Sequence, residues 1–458
     1  MPLGLYLSVP FCRTKCSYCN FASDVFSRAV FQRYIDRVCA DIERANLTSD
    51  QMGSSPERTV DSVYLGGGTP TVLDISQLER LFVTVSQNFD LHPDTEITVE
   101  CAPGTLTPAL LKSFPRFGVN RVSLGVQSFV DEEARAVGRL HNRLTVLDDV
   151  ARLREAGISN INIDLIAGLP HQTAESWEFS VEQTMASGAP HASVYMLEVD
   201  EDSRLGRELI AGGTRYHAHF VPDEELTADF YEMACQRLEL EGVRQYEISN
   251  FAKKGCESRH NLKYWTRQPY MGFGVDAHSM LRAVRTEARG VPFDGVAAVG
   301  DGFSDGHSML RAVKAVTSGV PSAGMAVEGH GFSHAAHSAQ QKGFSPCGGD
   351  VESIRFSSPD SLDAYLAAKP INFISVSQRA ALEEVFFLGL RLNRGVDLQK
   401  IAEKFGKEAL ADFADPIAEF VGFGLIEQVA ETISLTPRGR LLSNEVFEGF
   451  ISVRENVS

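Results

Sequence analysis

The sequence has no apolar run long enough to cross a bilayer, and its N-terminus, MPLGLYLSVPFC, has no basic segment followed by an apolar stretch. These absences predict a cytoplasmic chain without a signal peptide or a membrane-spanning helix. Positive charge is also scarce, since 43 Lys and Arg stand against 60 Asp and Glu, for a net charge of −17. Nucleic acid is therefore a poor candidate partner, because its phosphates would repel such a chain.

Cysteine is concentrated in one place. Of the eight cysteines, only Cys12, Cys16 and Cys19 lie close together, and the other five are scattered. Three thiolates can hold three irons of a [4Fe–4S] cube, and the missing fourth ligand would leave one iron open to a small ligand. A structural zinc site is the alternative, but zinc needs four closed ligands, and no fourth Cys or His is near in sequence. The spacing therefore favours an iron–sulfur cluster.

Short apolar runs alternate with helical patterns over the first 200 or so residues, which predicts parallel strands wrapped by helices. The predicted strands, rich in Val, Ile and Tyr, are Leu5–Val9, Ser62–Leu65, Glu96–Glu100, Arg121–Val126, Asn160–Leu165 and Ala192–Leu197. We expect an α/β fold with a partial (βα)6 TIM-like barrel. Such a barrel binds its ligands at the C-terminal ends of the strands.

The remainder of the chain divides into three predicted parts. Residues 246–276 form a connecting segment with the sequence HNLKYW at 260–265. Residues 277–350 form a low-complexity insertion, in which HSMLRAV at 278–284 recurs at 307–313, a period of 29 residues. Its five histidines, His278, His307, His330, His334 and His337, show no ligand pattern. We interpret it as a tandem duplication that forms a non-functional or lineage-specific insertion.

The last part, residues 351–458, predicts helices and a short strand at Thr432–Leu435. This combination is typical of an α-rich, winged-helix-like domain. Winged helices often bind DNA, but the basic residues here face more numerous Asp and Glu. The charge balance favours a structural or partner-docking role over reading a DNA groove.

Several side chains fall where a barrel would bind a ligand. Glu100, Gln127 and Asp164 lie at or just beyond predicted strand ends. Gly67 and Gly68 follow another strand, and two residues without Cβ let backbone amides approach a ligand closely. The alternative for each position is an ordinary loop residue.

The motif Cys-x3-Cys-x2-Cys after the first strand resembles that of the radical SAM superfamily. This resemblance implies a radical SAM core over 1–245, with S-adenosylmethionine (SAM) on the open iron and one-electron cleavage of SAM. It also implies roles for individual residues. Those implied to bind the cluster-bound ligand are Tyr6, Tyr18, Gly67, Gly68, Thr69, Glu100, Gln127, Arg139 and Asp164. For Tyr18, simple packing is an equally good interpretation.

Four further segments, YLSVPFC at 6–12, GGGTPT at 66–71, LGVQSF at 124–129 and DLIAGLP at 164–170, narrow the resemblance. They are similar to the group that contains anaerobic coproporphyrinogen III dehydrogenases and HemW-type heme chaperones. The dehydrogenases carry a further cysteine where this chain has Phe21, and a longer N-terminal extension. Both differences, with the HNxxYW motif, favour the heme chaperone type.

The chaperone resemblance implies heme as a ligand, with His260 binding the iron and Tyr264 and Trp265 stacking on the porphyrin. The alternative is that His260 caps a turn and Trp265 fills the core. The implied partners are a reductant such as flavodoxin or ferredoxin, heme-acceptor apo-proteins and a peripheral contact with the membrane. Oxygen-independent conversion of coproporphyrinogen III remains the enzymatic alternative, so the sequence leaves open whether the chain is an enzyme.

Overall fold

The structure is a computed structural model that describes residues 1–201, 203–284 and 351–451. Most of the predicted insertion, including His307, His330, His334 and His337, therefore lies outside the described residues. Among the described residues, no helix is both long enough and apolar enough to cross a membrane.

Six parallel strands in sequence order form the predicted partial barrel, which confirms that fold class. They are β1 (Leu3–Val9), β2 (Thr59–Gly67), β3 (Asp90–Cys101), β4 (Arg121–Gln127), β5 (Asn160–Ala167) and β6 (His191–Met196). The helices that follow them are α1 (Phe31–Glu43), α2 (Ala45–Gln51), α3 (Ile75–Asn88), α4 (Pro108–Ser113), α5 (Asp131–Ala136), α6 (Arg143–Glu155), α7 (Ala174–Ala186), α8 (Arg204–Ala211) and α9 (Glu224–Leu240).

Alternation along the strands sorts side chains into an outer apolar layer and an inner polar one. Leu3, Leu5 and Leu7 of β1 are fully buried among the helices. On α1, Tyr34 and Ile35 belong to the same buried cluster. Each fully buried aliphatic side chain contributes about 1.5–3 kcal/mol. The helices therefore cover the barrel, while the inward positions stay available for polar groups.

The sheet extends beyond the barrel on both sides. The added elements are β7 (Arg244–Glu247), β8 (Asn250–Ala252), α10 (Arg259–Trp265), β9 (Tyr270–Phe273), β10 (His278–Arg282), β11 (Val351–Ser357), α11 (Leu362–Leu366) and β12 (Asn372–Ser377). Among the described residues the sheet has twelve strands, in the order β12-β11-β10-β9-β1-β2-β3-β4-β5-β6-β8-β7. The segment 246–276 thus joins both sides of the barrel, with α10 between β8 and β9.

The C-terminal part consists of helices around a small antiparallel sheet. Its elements are α12 (Gln378–Gly389), β13 (Val396–Asp397), α13 (Leu398–Phe405), α14 (Lys407–Ala411), α15 (Ala414–Gly422), β14 (Ile426–Val429), β15 (Thr432–Leu435), α16 (Pro437–Leu441) and α17 (Ser443–Ile451). The three strands pair in the order β13-β15-β14. The rings of Phe386, Phe413 and Phe450 pack together in its core, and Phe386 stacks on Phe450 at 4.8 Å between centroids.

Ion pairs of a buried carboxylate join this C-terminal part to the added strands of the sheet. Glu384 of α12 is 1% exposed and accepts hydrogen bonds from Arg267 Nε at 2.6 Å and from Arg355 Nε at 2.9 Å. Burial works against its charge, but Arg355 and Arg267 outweigh that effect and hold the pKa of Glu384 below its usual range. Since the buried charge is compensated, the pairs fix how α12 packs against the sheet.

Candidate functional site

The cysteine loop begins where β1 ends, at the C-terminal rim of the barrel. Thr69 Oγ1 lies 3.9 Å from Cys12 Sγ, and Arg139 Nη1 lies 3.5 Å from Cys16 Sγ. Burial raises the pKa of the Cys12 and Cys19 thiols. No three His, Cys, Asp or Glu side chains of the described residues converge on a single ion.

Gly68 packs directly against Cys12, the first cysteine of the loop. Its amide donates to the Val9 carbonyl at 2.8 Å. A Cβ at this position would lie 2.7 Å from the Phe11 carbonyl oxygen and 3.0 Å from Cys12 Sγ. Both distances are shorter than a van der Waals contact, so only glycine fits here. The close approach holds the strand-end loop after β2 against the cysteine loop.

Glu100 lies beside Gly67 at the end of β3. Its carboxylate accepts hydrogen bonds from Tyr64 Oη at 2.8 Å and from the Gly67 amide at 3.0 Å. Burial raises the pKa of Glu100 to about 7, although both donors oppose this shift. The group can therefore accept a hydrogen bond as a carboxylate or donate one as a carboxylic acid near neutral pH.

Asp164 is the second inward carboxylate, on the neighbouring side of the barrel. It accepts hydrogen bonds from Ser123 Oγ at 3.1 Å and from Asn162 Nδ2 at 2.7 Å. Burial raises its pKa as well. These donors hold the Asp164 side chain in one orientation.

Gln127 and Arg139 meet around Gly125. A Cβ at Gly125 would lie 2.7 Å from Arg139 Nη2 and 3.3 Å from Gln127 Nε2. Arg139 also donates to the Gly125 carbonyl. Gln127 has a positive φ of 71°, and its buried Oε1 has no hydrogen-bond partner among the described residues. A strained backbone with an unpaired polar atom beside a half-buried arginine is typical of a ligand-binding position.

The two tyrosines occupy different environments. Tyr6 of β1 packs on Tyr64 inside the barrel, with 6.1 Å between ring centroids. Tyr18, on the cysteine loop, packs against the apolar cluster of Val137, Ile166 and Leu169. Tyr18 therefore supports the loop whether or not it also contacts a ligand.

His260 lies away from this rim, inside the barrel at 1% exposure. Both of its ring nitrogens have partners: Nδ1 lies 3.1 Å from Ser62 Oγ, and Nε2 lies 2.8 Å from Tyr264 Oη. Burial, with Lys263 and Arg121 adding to it, lowers the pKa of His260 to about 3. No ring nitrogen is available to an iron in this arrangement, so the geometry favours a core position over the predicted heme ligand.

Trp265 of the same motif is also internal. It is 4% exposed, and the Arg391 guanidinium lies 4.3 Å from its ring centroid. Arg391 in turn pairs with the buried Glu247 at 3.4 Å. The face of Trp265 that was predicted to stack on a porphyrin is thus covered by Arg391 of the C-terminal part. The motif at 260–265 therefore packs against the C-terminal part inside the molecule.

Tyr64, which is not among the predicted site residues, connects Glu100 with His260. Its ring stacks on the imidazole at 5.3 Å between centroids, while its hydroxyl donates to Glu100. The sequence could have indicated this position, because Tyr64 lies two residues after Ser62 on β2 and their side chains therefore face the same side of the sheet.

Comparisons with known proteins place the chain in a family. Residues 6–183 match the radical SAM superfamily, and residues 376–442 match the HemN C-terminal domain. The heme chaperone HemW of Bacillus subtilis (strain 168) is 31% identical over 447 residues, which cover 97% of this chain and 98% of that protein. The chain belongs to the HemW heme chaperone family. The HemW of Lactococcus lactis subsp. lactis (strain IL1403) is 29% identical over 454 residues, 98% of this chain and 97% of that protein.

A solved structure agrees on the fold of this HemW-family chain. Coproporphyrinogen III oxidase (HemN) from Escherichia coli, a radical SAM enzyme, has a TM-score of 0.72 at 21% identity. The match covers 99% of this chain and 91% of that chain. At this identity the likeness shows the fold and not the activity.

Membership in the radical SAM superfamily implies a [4Fe–4S] cluster and SAM as cofactors. The residues at the rim fit these groups, because the three cysteines share one loop and the unpaired Gln127 Oε1 lies among polar side chains. When bound, such a cluster would supply an electron for reductive cleavage of SAM. The chain contributes fixed hydrogen-bonding groups at the rim and apolar packing beneath the loop.

Proposed function

We propose that this chain binds heme and transfers it to acceptor apo-proteins, as the names of its relatives describe for them. The observation that carries the proposal is the match to the Bacillus subtilis heme chaperone, which extends over 97% of this chain. The match spans the cysteine loop, the strand-end residues and the C-terminal helices alike. A relationship of that extent supports a shared overall activity and not a shared domain alone.

Within this proposal, Cys12, Cys16 and Cys19 each hold one iron of the cluster. Arg139 would bind the carboxylate of SAM through two parallel hydrogen bonds from its guanidinium, and Gln127 would hydrogen-bond the ribose. The remaining proposed contacts with SAM come from Tyr6, Tyr18, Gly67, Gly68, Thr69, Glu100 and Asp164. A flavodoxin or ferredoxin would reduce the cluster.

We also propose how the chain divides into domains. Residues 1–245 form the radical SAM core, 246–276 connect it to the rest, and 351–458 form the C-terminal domain. The buried pair of Glu384 with Arg267 supports a fixed contact between the connecting segment and the C-terminal domain. The segment 277–350 is proposed as an insertion. Heme acceptors, including those at the membrane periphery, would contact the assembled chain.

The test is an anaerobic assay on the cluster-reconstituted chain, which separates chaperone from enzyme. The chain is incubated with SAM, a strong reductant and coproporphyrinogen III, and the porphyrins are separated by chromatography. In parallel, heme binding is followed by its Soret absorbance. We expect stoichiometric heme binding and no protoporphyrinogen beyond a single equivalent. Repeated turnover to protoporphyrinogen would overturn the chaperone proposal and establish a heme-biosynthetic enzyme.

A further inference from the structure

Two histidines meet at the C-terminal rim of the barrel, outside the site described above. His171 lies in the loop after β5, and His217 directly precedes a short 3-10 helix, Ala218–Phe220. His171 Nε2 lies 3.0 Å from His217 Nδ1. Both have positive φ, 69° and 61°. For residues other than glycine such a backbone costs on the order of 1–3 kcal/mol, and it persists where surrounding contacts fix it.

The contacts that fix this pair are specific. The His171 amide donates to the Phe220 carbonyl at 2.9 Å. On the other side, the Glu208 carboxylate of α8 accepts from the Tyr216 amide at 2.7 Å and from the Ala218 amide at 3.2 Å. The loop that carries His217 is therefore tied down at both ends, and the imidazoles are held in one relative position.

The same segment contacts the cysteine loop. The Leu205 amide of α8 donates to the Ser17 carbonyl at 2.8 Å, and Arg204 Nη1 donates to the Lys15 carbonyl at 3.1 Å. Helix α8 thus runs from the cysteine loop toward the histidine pair. A ligand held by the pair would lie on the same rim as the cluster.

The pair has the hydrogen bonding of a metal-binding imidazole. When His217 donates its Nδ1–H to His171, the lone pair of His217 Nε2 is free, and this nitrogen has no hydrogen bond from any described residue. Iron-ligating histidines commonly donate their other ring N–H to a nearby acceptor, which fixes tautomer and orientation. His171 supplies that acceptor and keeps its own ring stacked on Phe220, at 4.3 Å between centroids.

The surroundings match the rest of a heme. Phe220 is 57% exposed, and Ile210 of the contacting helix α8 is 69% exposed. Two arginines of this segment, Arg207 and Arg215, are exposed as well. Apolar side chains suit the porphyrin face, and guanidinium groups suit its propionates. An accessible imidazole, exposed apolar surface and cationic groups thus occur together on one segment.

We propose that His217 is an iron ligand for the heme that this chain carries, with His171 as the residue that positions it. The inference rests on the proposed heme chaperone function and names where the heme would sit. It assigns heme binding to the rim beside the cysteine loop and leaves His260 as a core residue.

The test uses the full-length, cluster-reconstituted chain and ferric heme. His217→Asn removes the imidazole but keeps a residue that tolerates a positive φ, and His219→Ala is the matched control, since His219 is an exposed neighbour. Heme affinity is read from the Soret titration and ligation from the ferric EPR spectrum. We expect His217→Asn to weaken binding at least tenfold and to lose the imidazole signature, while the control changes neither. His171→Asn should keep the signature with affinity lowered by about tenfold.

Two results separate the possible failures. If the unaltered chain binds no heme, both the proposed function and this inference are wrong. If it binds heme but His217→Asn leaves affinity and spectrum unchanged, only the inference is wrong. In case His217→Asn disturbs the fold, His217→Gly with added imidazole serves as the second variant. If added imidazole restores the imidazole signature of the ferric EPR spectrum, the proposal is supported. If a folded variant shows no restoration, the proposal is overturned.

Discussion

The internal position of His260 predicts a measurable dependence of stability on pH. Burial lowers its pKa to about 3, whereas an unfolded histidine titrates near 6.5. Between these values the unfolded chain binds a proton that the folded chain does not, so stability rises with pH up to about 6.5. From pH 7.5 to 5.5 this linkage alone removes about 1.4 kcal/mol from the free energy of unfolding.

The variant that isolates this effect is His260→Gln, which keeps a hydrogen-bonding side chain near Ser62 and Tyr264 but cannot take up the proton. The assay is urea unfolding of the reconstituted chain under anaerobic conditions at pH 7.5 and 5.5. All other titrating groups are common to both proteins and cancel in the comparison. We expect the unaltered chain to lose about 1.4 kcal/mol more than His260→Gln between the two pH values.

An equal loss in both proteins would refute this reasoning, because His260 would then titrate as an exposed residue. That result, together with loss of heme binding in His260→Gln, would restore the hypothesis that His260 is the iron ligand. If instead the predicted difference appears and heme binding survives, the motif at 260–265 has a structural role.

Three further predictions test the rim and the joint between the domains. Gly68→Ala places a methyl group against Cys12 Sγ. We therefore expect it to lower the iron content after reconstitution and to lower the free energy of unfolding by about 1–3 kcal/mol. The control is Gly422→Ala, where a Cβ meets nothing within 4 Å. Arg139→Lys keeps the charge but loses the fork, so SAM affinity measured by equilibrium dialysis should fall about tenfold at unchanged iron content; unchanged affinity would remove Arg139 from the SAM site. Glu384→Ala removes the only carboxylate that pairs with Arg355 among the described residues and leaves the buried Arg267 with Glu352 alone. It should therefore lower the free energy of unfolding by about 3–5 kcal/mol in urea, and a loss below 1 kcal/mol would contradict the structural role of these pairs.

The barrel was predictable because its signals are local. Each of the six strands is an apolar run bounded by turn residues, and each predicted run lies within or overlaps an observed strand, from Leu5–Val9 in β1 to Ala192–Leu197 in β6. The cysteine loop and the glycines after β2 were predictable for the same reason. Their chemistry depends on short spacings that the sequence displays directly.

The parts that escaped prediction depend on long-range placement. Strands such as β8 and β9 have only three and four residues, too few for a clear alternation. His260 was predicted as a heme ligand from the HNxxYW resemblance, and the sequence does not reveal that both of its ring nitrogens have partners in the core. His171 and His217 are 46 residues apart, and only the packing of α8 and the loop after β5 brings their nitrogens together.

The most direct test of the account is heme transfer. The chain is loaded with one equivalent of heme, separated from free heme and mixed with an apo-myoglobin acceptor, and the acceptor's Soret spectrum is followed with time. We expect heme to pass to the acceptor at the rate at which it dissociates from the chain. The chain should lose as much heme as the acceptor gains. A chain that binds no heme, or that retains it against an excess of high-affinity acceptor, would contradict the central claim.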